Sequence, residues 1–121
     1  MASIEIRRFE EPDEHRAFEG KGAADVVNIY GKSVVRGVFE PGWKWSVNVK
    51  PIAGTDSCQF THLSYILSGR IRVTLDDGTE GTAGPGDIVA IPPGHDAEVI
   101  SDEACVMVDL ADMGDSTYAK R

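Results

Sequence analysis

A chain of 121 residues has the usual length of one domain and can bury a single core without disulfide or metal staples. Its 20 Asp and Glu against 12 Lys and Arg leave a net charge of −8 at pH 7, which repels polyphosphates and anionic membranes and argues against nucleic acid as a partner. Two cysteines, Cys58 and Cys105, are too few for the disulfide framework of a small secreted domain, the N-terminal residues are charged where a signal peptide is apolar, and no run approaches membrane-spanning length; the expected location is cytoplasmic.

Thirteen glycines and six prolines cut the chain into short runs rich in Val and Ile, the pattern of an antiparallel all-β sandwich or barrel. Glu11-Pro12-Asp13-Glu14 opens a short helical or irregular segment that ends by Gly20 and Gly22. Strands are expected near 25–30, 33–40 and 45–49, with Pro41-Gly42 as a turn between the last two. Trp43 and Trp45 stand two apart, so an extended backbone points both to one face. Residues 51–56 read as a loop before a strand over Cys58–Leu67, and Arg70–Leu75 alternates polar and apolar before the Asp76-Asp77-Gly78-Thr79 hairpin turn. The acidic cluster at that turn is a solvated hairpin, too poor in ligands for a calcium loop. Asp87–Ile91, Ala97–Ile100 and Ala104–Leu110 are the last expected strands. The whole, residues 1–121, reads as one domain with a barrel core over about 33–110 and a polar tail at 111–121 that lies loose or dresses a neighbouring subunit.

Two segments carry the chemistry. Gly84-Pro85-Gly86-Asp87-Ile88-Val89-Ala90-Ile91-Pro92-Pro93-Gly94-His95 is a turn, a short apolar strand and a rigid turn that delivers a histidine, and Cys58 to Gly69 is a strand that carries a cysteine and a histidine and closes on glycine. Together they resemble the paired motifs of the cupin superfamily over roughly residues 38 to 110, and more narrowly a group of small single-domain cupins defined only by their fold. The resemblance implies an antiparallel jelly-roll β-barrel with a ligand or metal site in its mouth, and barrels that often pair as homodimers. It also implies four ligand positions: a His-x-His pair and a glutamate in the first motif, and a third histidine in the second. Counted from Gly69, the pair falls on Asp56 and Cys58 and the glutamate on His62, while the third histidine falls on Ala97, which has no donor atom.

A displaced set takes their place. Residues 56, 58 and 62 share parity, hence one face of a regular strand, and His95 shares parity with Ala97 about 6 to 7 Å further toward the loop. One thiol and two imidazoles, Cys58, His62 and His95, with Asp56 or water as a fourth ligand, suit a divalent transition metal such as zinc, copper or iron over magnesium or calcium. Each has a plainer reading: Cys58 as a small buried hydrophobe, His62 as a core histidine, His95 as an exposed loop residue. Trp43 and Trp45 either line a ligand pocket with the two histidines or pack at a sheet edge or interface. Cys105 belongs to the core, His15 to the surface, Asp87 to its turn as a cap, and Tyr65 to the packed face opposite His62; Asp96 is adjacent to His95 and points away from it. The expected function is a small-molecule or transition-metal binding cupin. The alternatives are a metal-dependent oxygenase, isomerase or lyase acting on a small carboxylate or carbonyl compound, and a non-catalytic ligand sensor.

Overall fold

The structure, a computed structural model, describes residues 3–110 and 118–120. Nine strands follow in chain order: β1 (Glu14–Ala17), β2 (Gly22–Ile29), β3 (Lys32–Phe39), β4 (His62–Ser68), β5 (Ile71–Leu75), β6 (Glu80–Ala83), β7 (Ile88–Ile91), β8 (His95–Val99) and β9 (Cys105–Asp109). Two helical turns, α1 (Trp45–Asn48) and α2 (Lys50–Ala53), lie between β3 and β4. All pairings are antiparallel, in one six-stranded sheet of order β1-β2-β3-β9-β4-β7 and one three-stranded sheet of order β6-β5-β8. The sheets face each other as a jelly roll. Between them lie Val26, Val35, Ile66 and Met107 from the first, and Ile71, Val73, Ala97 and Val99 from the second.

Four expectations are corrected. The helical segment at 11–19 is instead the edge strand β1, paired with β2 from Glu14↔Val26 to Ala17↔Ala23. Cross-strand pairing and burial of Arg16 and Phe18 outweigh the local preference of Pro12 and its acidic neighbours for a helical start. The strand at 45–49 is α1, because Asn48 holds a tight turn: its Oδ1 accepts from the Lys44 backbone N–H at 3.0 Å and its Nδ2 donates to the Glu19 carbonyl at 2.7 Å. Pro51 then lies in the first turn of α2, inside the expected loop, where its missing N–H costs nothing. The sheets do not close into one barrel: in place of a continuous strand, the segment between β3 and β4 meets β8 through the isolated bridges Lys44↔Glu98 and Cys58↔His95, with single hydrogen bonds beside them. A further difference is β6, a short edge strand where the sequence has no apolar run.

The turn Gly84–Asp87 forms as its sequence implies. Asp87 Oδ2 accepts from the Gly84 N–H at 2.8 Å, and Gly86 adopts φ +89°. Gly69 is the sterically strictest glycine of the motif pair. At φ +73°, a Cβ there would stand 2.5 Å from both the Ala104 carbonyl oxygen and Cys105 Cα, just after the register shift between β4 and β9.

Candidate metal and ligand site

Three strand ends and one loop deliver the site. His62 is the first residue of β4 and pairs with Ile91 of β7. His95 is the first residue of β8, after the Pro92-Pro93-Gly94 turn, and lies on the inward register of β8 with Ala97 and Val99. Asp109 ends β9 on the inward register with Cys105 and Met107. Cys58 is not on β4. It is clamped to His95 by a bridge in which the Cys58 N–H donates to the His95 carbonyl at 2.8 Å and the Gly94 N–H donates to the Cys58 carbonyl at 2.7 Å. The expected single strand over Cys58–Leu67 is thus corrected at its start, and the shared face of Cys58 and His62 arises from cross-strand pairing and not from strand parity.

Cys58, His62 and His95 are all buried, and one donor atom from each lies within 4.8 Å of the others. Cys58 Sγ is 3.6 Å from His62 Nε2. Tetrahedral zinc, with bonds of about 2.3 Å to sulfur and about 2.0–2.1 Å to nitrogen, sets a sulfur–nitrogen edge of about 3.6 Å. Each imidazole is oriented by its other nitrogen. His62 Nδ1–H donates to Asp109 Oδ2 at 2.8 Å, and His95 Nδ1–H donates to the Pro92 carbonyl at 2.7 Å. Since neither oxygen can donate, each neutral ring presents a bare Nε2. The donor set therefore fits a transition metal.

The site also stores charge. Burial pushes the Cys58 thiol up, but hydrogen bonds to His62, His95 and the Phe60 backbone, with the charge of His62, outweigh it and bring the thiol down to about 6. Burial disfavours the His62 cation, yet its bonds to Asp109 and Cys58 and their negative charges raise it to about 9. Without metal the pair is a thiolate and an imidazolium. Cys105, by contrast, is raised to about 11 by burial alone, as befits a core residue.

Asp56, the suggested fourth ligand, is corrected: it is fully exposed on the loop after α2 and lies 3.9 Å from Lys50 Nζ. Trp43 and Trp45 are each 2 % exposed and line, with His62, His95, Ala97 and Asp109, a cavity of about 50 Å³ whose other walls are mostly apolar. Tyr65 is corrected from packed to exposed on the outer face of β4. Asp96 accepts from the Ser46 N–H at 3.0 Å and serves α1, not His95; His15 is exposed against Asp25.

Two contributors were not among the expected residues. Asp109 had one sequence signal, an acidic side chain on the inward parity of an apolar strand; it also accepts from Ser64 Oγ at 3.3 Å. Tyr118 had none. Its ring stands edge-on to His62 at 5.4 Å and its carbonyl accepts from buried Arg16 at 3.0 Å, so this part of the tail packs on its own chain. Residues 111–117 and 121 of the tail lie outside the described residues.

No curated protein matches the chain. Among solved structures it is similar to a cupin 2 conserved barrel domain protein from Salinispora arenicola, with a TM-score of 0.62 at 18 % identity over 89 % of this chain and 87 % of that one. The polyketide cyclase of Streptomyces resistomycificus gives a TM-score of 0.61 at 14 % identity over 88 % and 78 %. A deletion mutant of Bacillus subtilis oxalate decarboxylase gives 0.63 at 18 % identity, over 93 % of this chain but 31 % of that longer one. At such identities these likenesses establish the jelly-roll fold alone. The sequence itself matches the EutQ-like cupin domain over residues 44–107, more than half of the chain and the part that carries Cys58, His62 and His95, and the protein therefore belongs to the EutQ-like cupins.

Proposed function

We propose that the protein binds a divalent transition metal, zinc foremost, through Cys58 Sγ, His62 Nε2 and His95 Nε2, and receives a small molecule in the adjoining cavity. The observation that carries this is the double anchoring of the imidazoles: both Nδ1 atoms are tied to oxygen acceptors, which leaves both Nε2 atoms beside a thiol that is readily deprotonated. Three protein ligands leave a fourth position for a ligand, as in open zinc sites. A metal held there supplies Lewis acidity toward an oxygen atom. Asp109 fixes the His62 tautomer, and the apolar walls exclude bulk water.

Elemental analysis of protein purified without added metal tests the reading. About one ion per chain is expected, lost in His62→Ala, His95→Ala and Cys58→Ser. A protein that stays metal-free after incubation with zinc, copper and iron overturns it. The polyketide cyclase and the oxalate decarboxylase are enzymes by name, and a reaction on a small carboxylate or carbonyl compound is the next reading to test by turnover once a ligand is known.

We also propose a cytoplasmic homodimer. The thiols of Cys58 and Cys105 are both free. Supporting the dimer, the outer face of the six-stranded sheet exposes Leu63, Tyr65, Leu67 and Ile88, beside half-buried Val106 and Val108. In a chain of net charge −8, this apolar patch of β4, β7 and β9, bordered on β3 by Arg36 opposite Val108, is where two copies meet without opposing their acidic surfaces.

A further inference from the structure

Charge and shape together limit what the cavity beside the three metal-ligating candidates can hold. Among the described residues, one carboxylate lines it, that of buried Asp109, and no lysine or arginine does. His62 and His95 line it too, and Asp109 Oδ2 accepts from His62 Nδ1–H at 2.8 Å. On the proposed reading that the centre holds a divalent ion, the ion brings two positive charges. The Cys58 thiolate cancels one, and the Asp109 carboxylate on the far side of the His62 ring cancels the other. The assembled centre is then neutral. An anion in its fourth position would turn it negative inside apolar walls, with Asp109 close by and no lysine or arginine to receive the charge.

The walls favour the same kind of ligand. Ile71, Ile91 and Met107 give the space apolar sides. Room is left because Ala24, Gly37 and Ala97 carry little or no side chain; a Cβ on Gly37 would stand 2.4 Å from the Phe39 ring. At about 50 Å³ the space suits a molecule of a few non-hydrogen atoms, mostly apolar and with few groups that need water.

We propose that the site takes a small neutral carbonyl compound, a ketone, aldehyde or amide with one oxygen donor and an apolar remainder, and rejects carboxylates of the same shape. Asp109 is then a specificity-determining residue besides orienting His62. The oxygen donor rests on the reading that the centre holds a metal. The neutrality rests on Asp109 and on the lack of a lysine or arginine in the lining, which hold with or without the ion.

Acetamide and acetate share shape and size and differ in charge, so they form the probe pair, with acetone as a second neutral probe. Zinc-loaded full-length protein, carbon-13-labelled at isoleucine and methionine methyl groups, is titrated with each at neutral pH. The signals of Ile71, Ile91 and Met107 are followed in proton–carbon correlation spectra. Saturable movement with acetamide and acetone is expected, at concentrations roughly 10-fold or more below any response to acetate. Asp109→Asn, in excess zinc, is expected to shrink that preference by about 10-fold. Acetate bound as tightly as acetamide, signals unmoved by either neutral probe, or a preference unchanged in Asp109→Asn overturns the inference. Should that variant fail to fold or to hold zinc, the wild-type preference decides alone. Wild-type protein that takes up no zinc overturns the metal reading instead. The same titration of metal-free protein then decides the ligand class: neutral probes that move these signals where acetate does not uphold it, and any other pattern removes it.

Discussion

His62 stands between Asp109 and Cys58, and that position makes the site readable by pH. His62 is raised, so its stabilising contribution is complete below its ordinary value near 6.5 and is lost as pH rises through about 9. Cys58 is lowered, so its contribution is complete above its ordinary value of 9.0 and is lost as pH falls through about 6. The two windows overlap, and metal-free protein holds the thiolate–imidazolium pair between about 6 and about 9. Thiolate ultraviolet absorbance of metal-free protein is expected to rise with a midpoint near 6 and to lose that step in Cys58→Ser. A first midpoint near 9 refutes the pairing. Asp109→Asn, which keeps the shape but removes the charge that supports His62, is expected to weaken zinc affinity by about 10- to 100-fold. Competition with a chelating dye measures this, and Asp56→Ala, at an exposed position, is expected to leave the affinity unchanged.

At the scale of elements, the site depends on where strands begin. β4 and β8 start on histidines, and the loop between α2 and β4 is fastened to β8 by the Cys58↔His95 bridge. The turn chemistry around Pro41-Gly42, Gly84–Asp87 and Pro92–Gly94 was legible in sequence because it is local: φ preferences and side-chain caps act within four residues. The strand at 45–49 was not, since its competitor is a turn held by Asn48 against Glu19, 29 residues away. Gly69 is the element-scale test. Gly69→Ala forces a side chain into a left-handed backbone against Ala104 and Cys105 and is expected to destabilise the fold by about 2 kcal/mol or more. Urea unfolding checks this, and a change below about 0.5 kcal/mol contradicts the bulge as placed.

For the whole molecule, the six-stranded sheet has two unlike faces. Its inner face meets the smaller sheet; its outer face presents Leu63, Tyr65 and Leu67 at alternate positions of β4. If that face joins two copies, Leu67→Glu is expected to convert a sedimenting dimer to monomer with unchanged far-ultraviolet dichroism. A wild-type monomer at micromolar concentration refutes the pairing.

By itself, the sequence determined the all-β class, the order of most strands and the glycine turns, because alternation and turn chemistry are written in neighbouring residues; it singled out Cys58, His62 and His95, but what brings Cys58 to the histidines is its bridge to His95 and not strand parity. It also excluded the cupin ligand pattern in its usual places, since Ala97 has no donor atom. Only the tertiary structure decided that Asp56 leaves the site and that Asp109 and Pro92 orient the imidazoles. It alone placed Tyr118 over His62. These facts depend on register between strands far apart in the chain, and a one-residue shift of register turns a side chain from the cavity to the solvent.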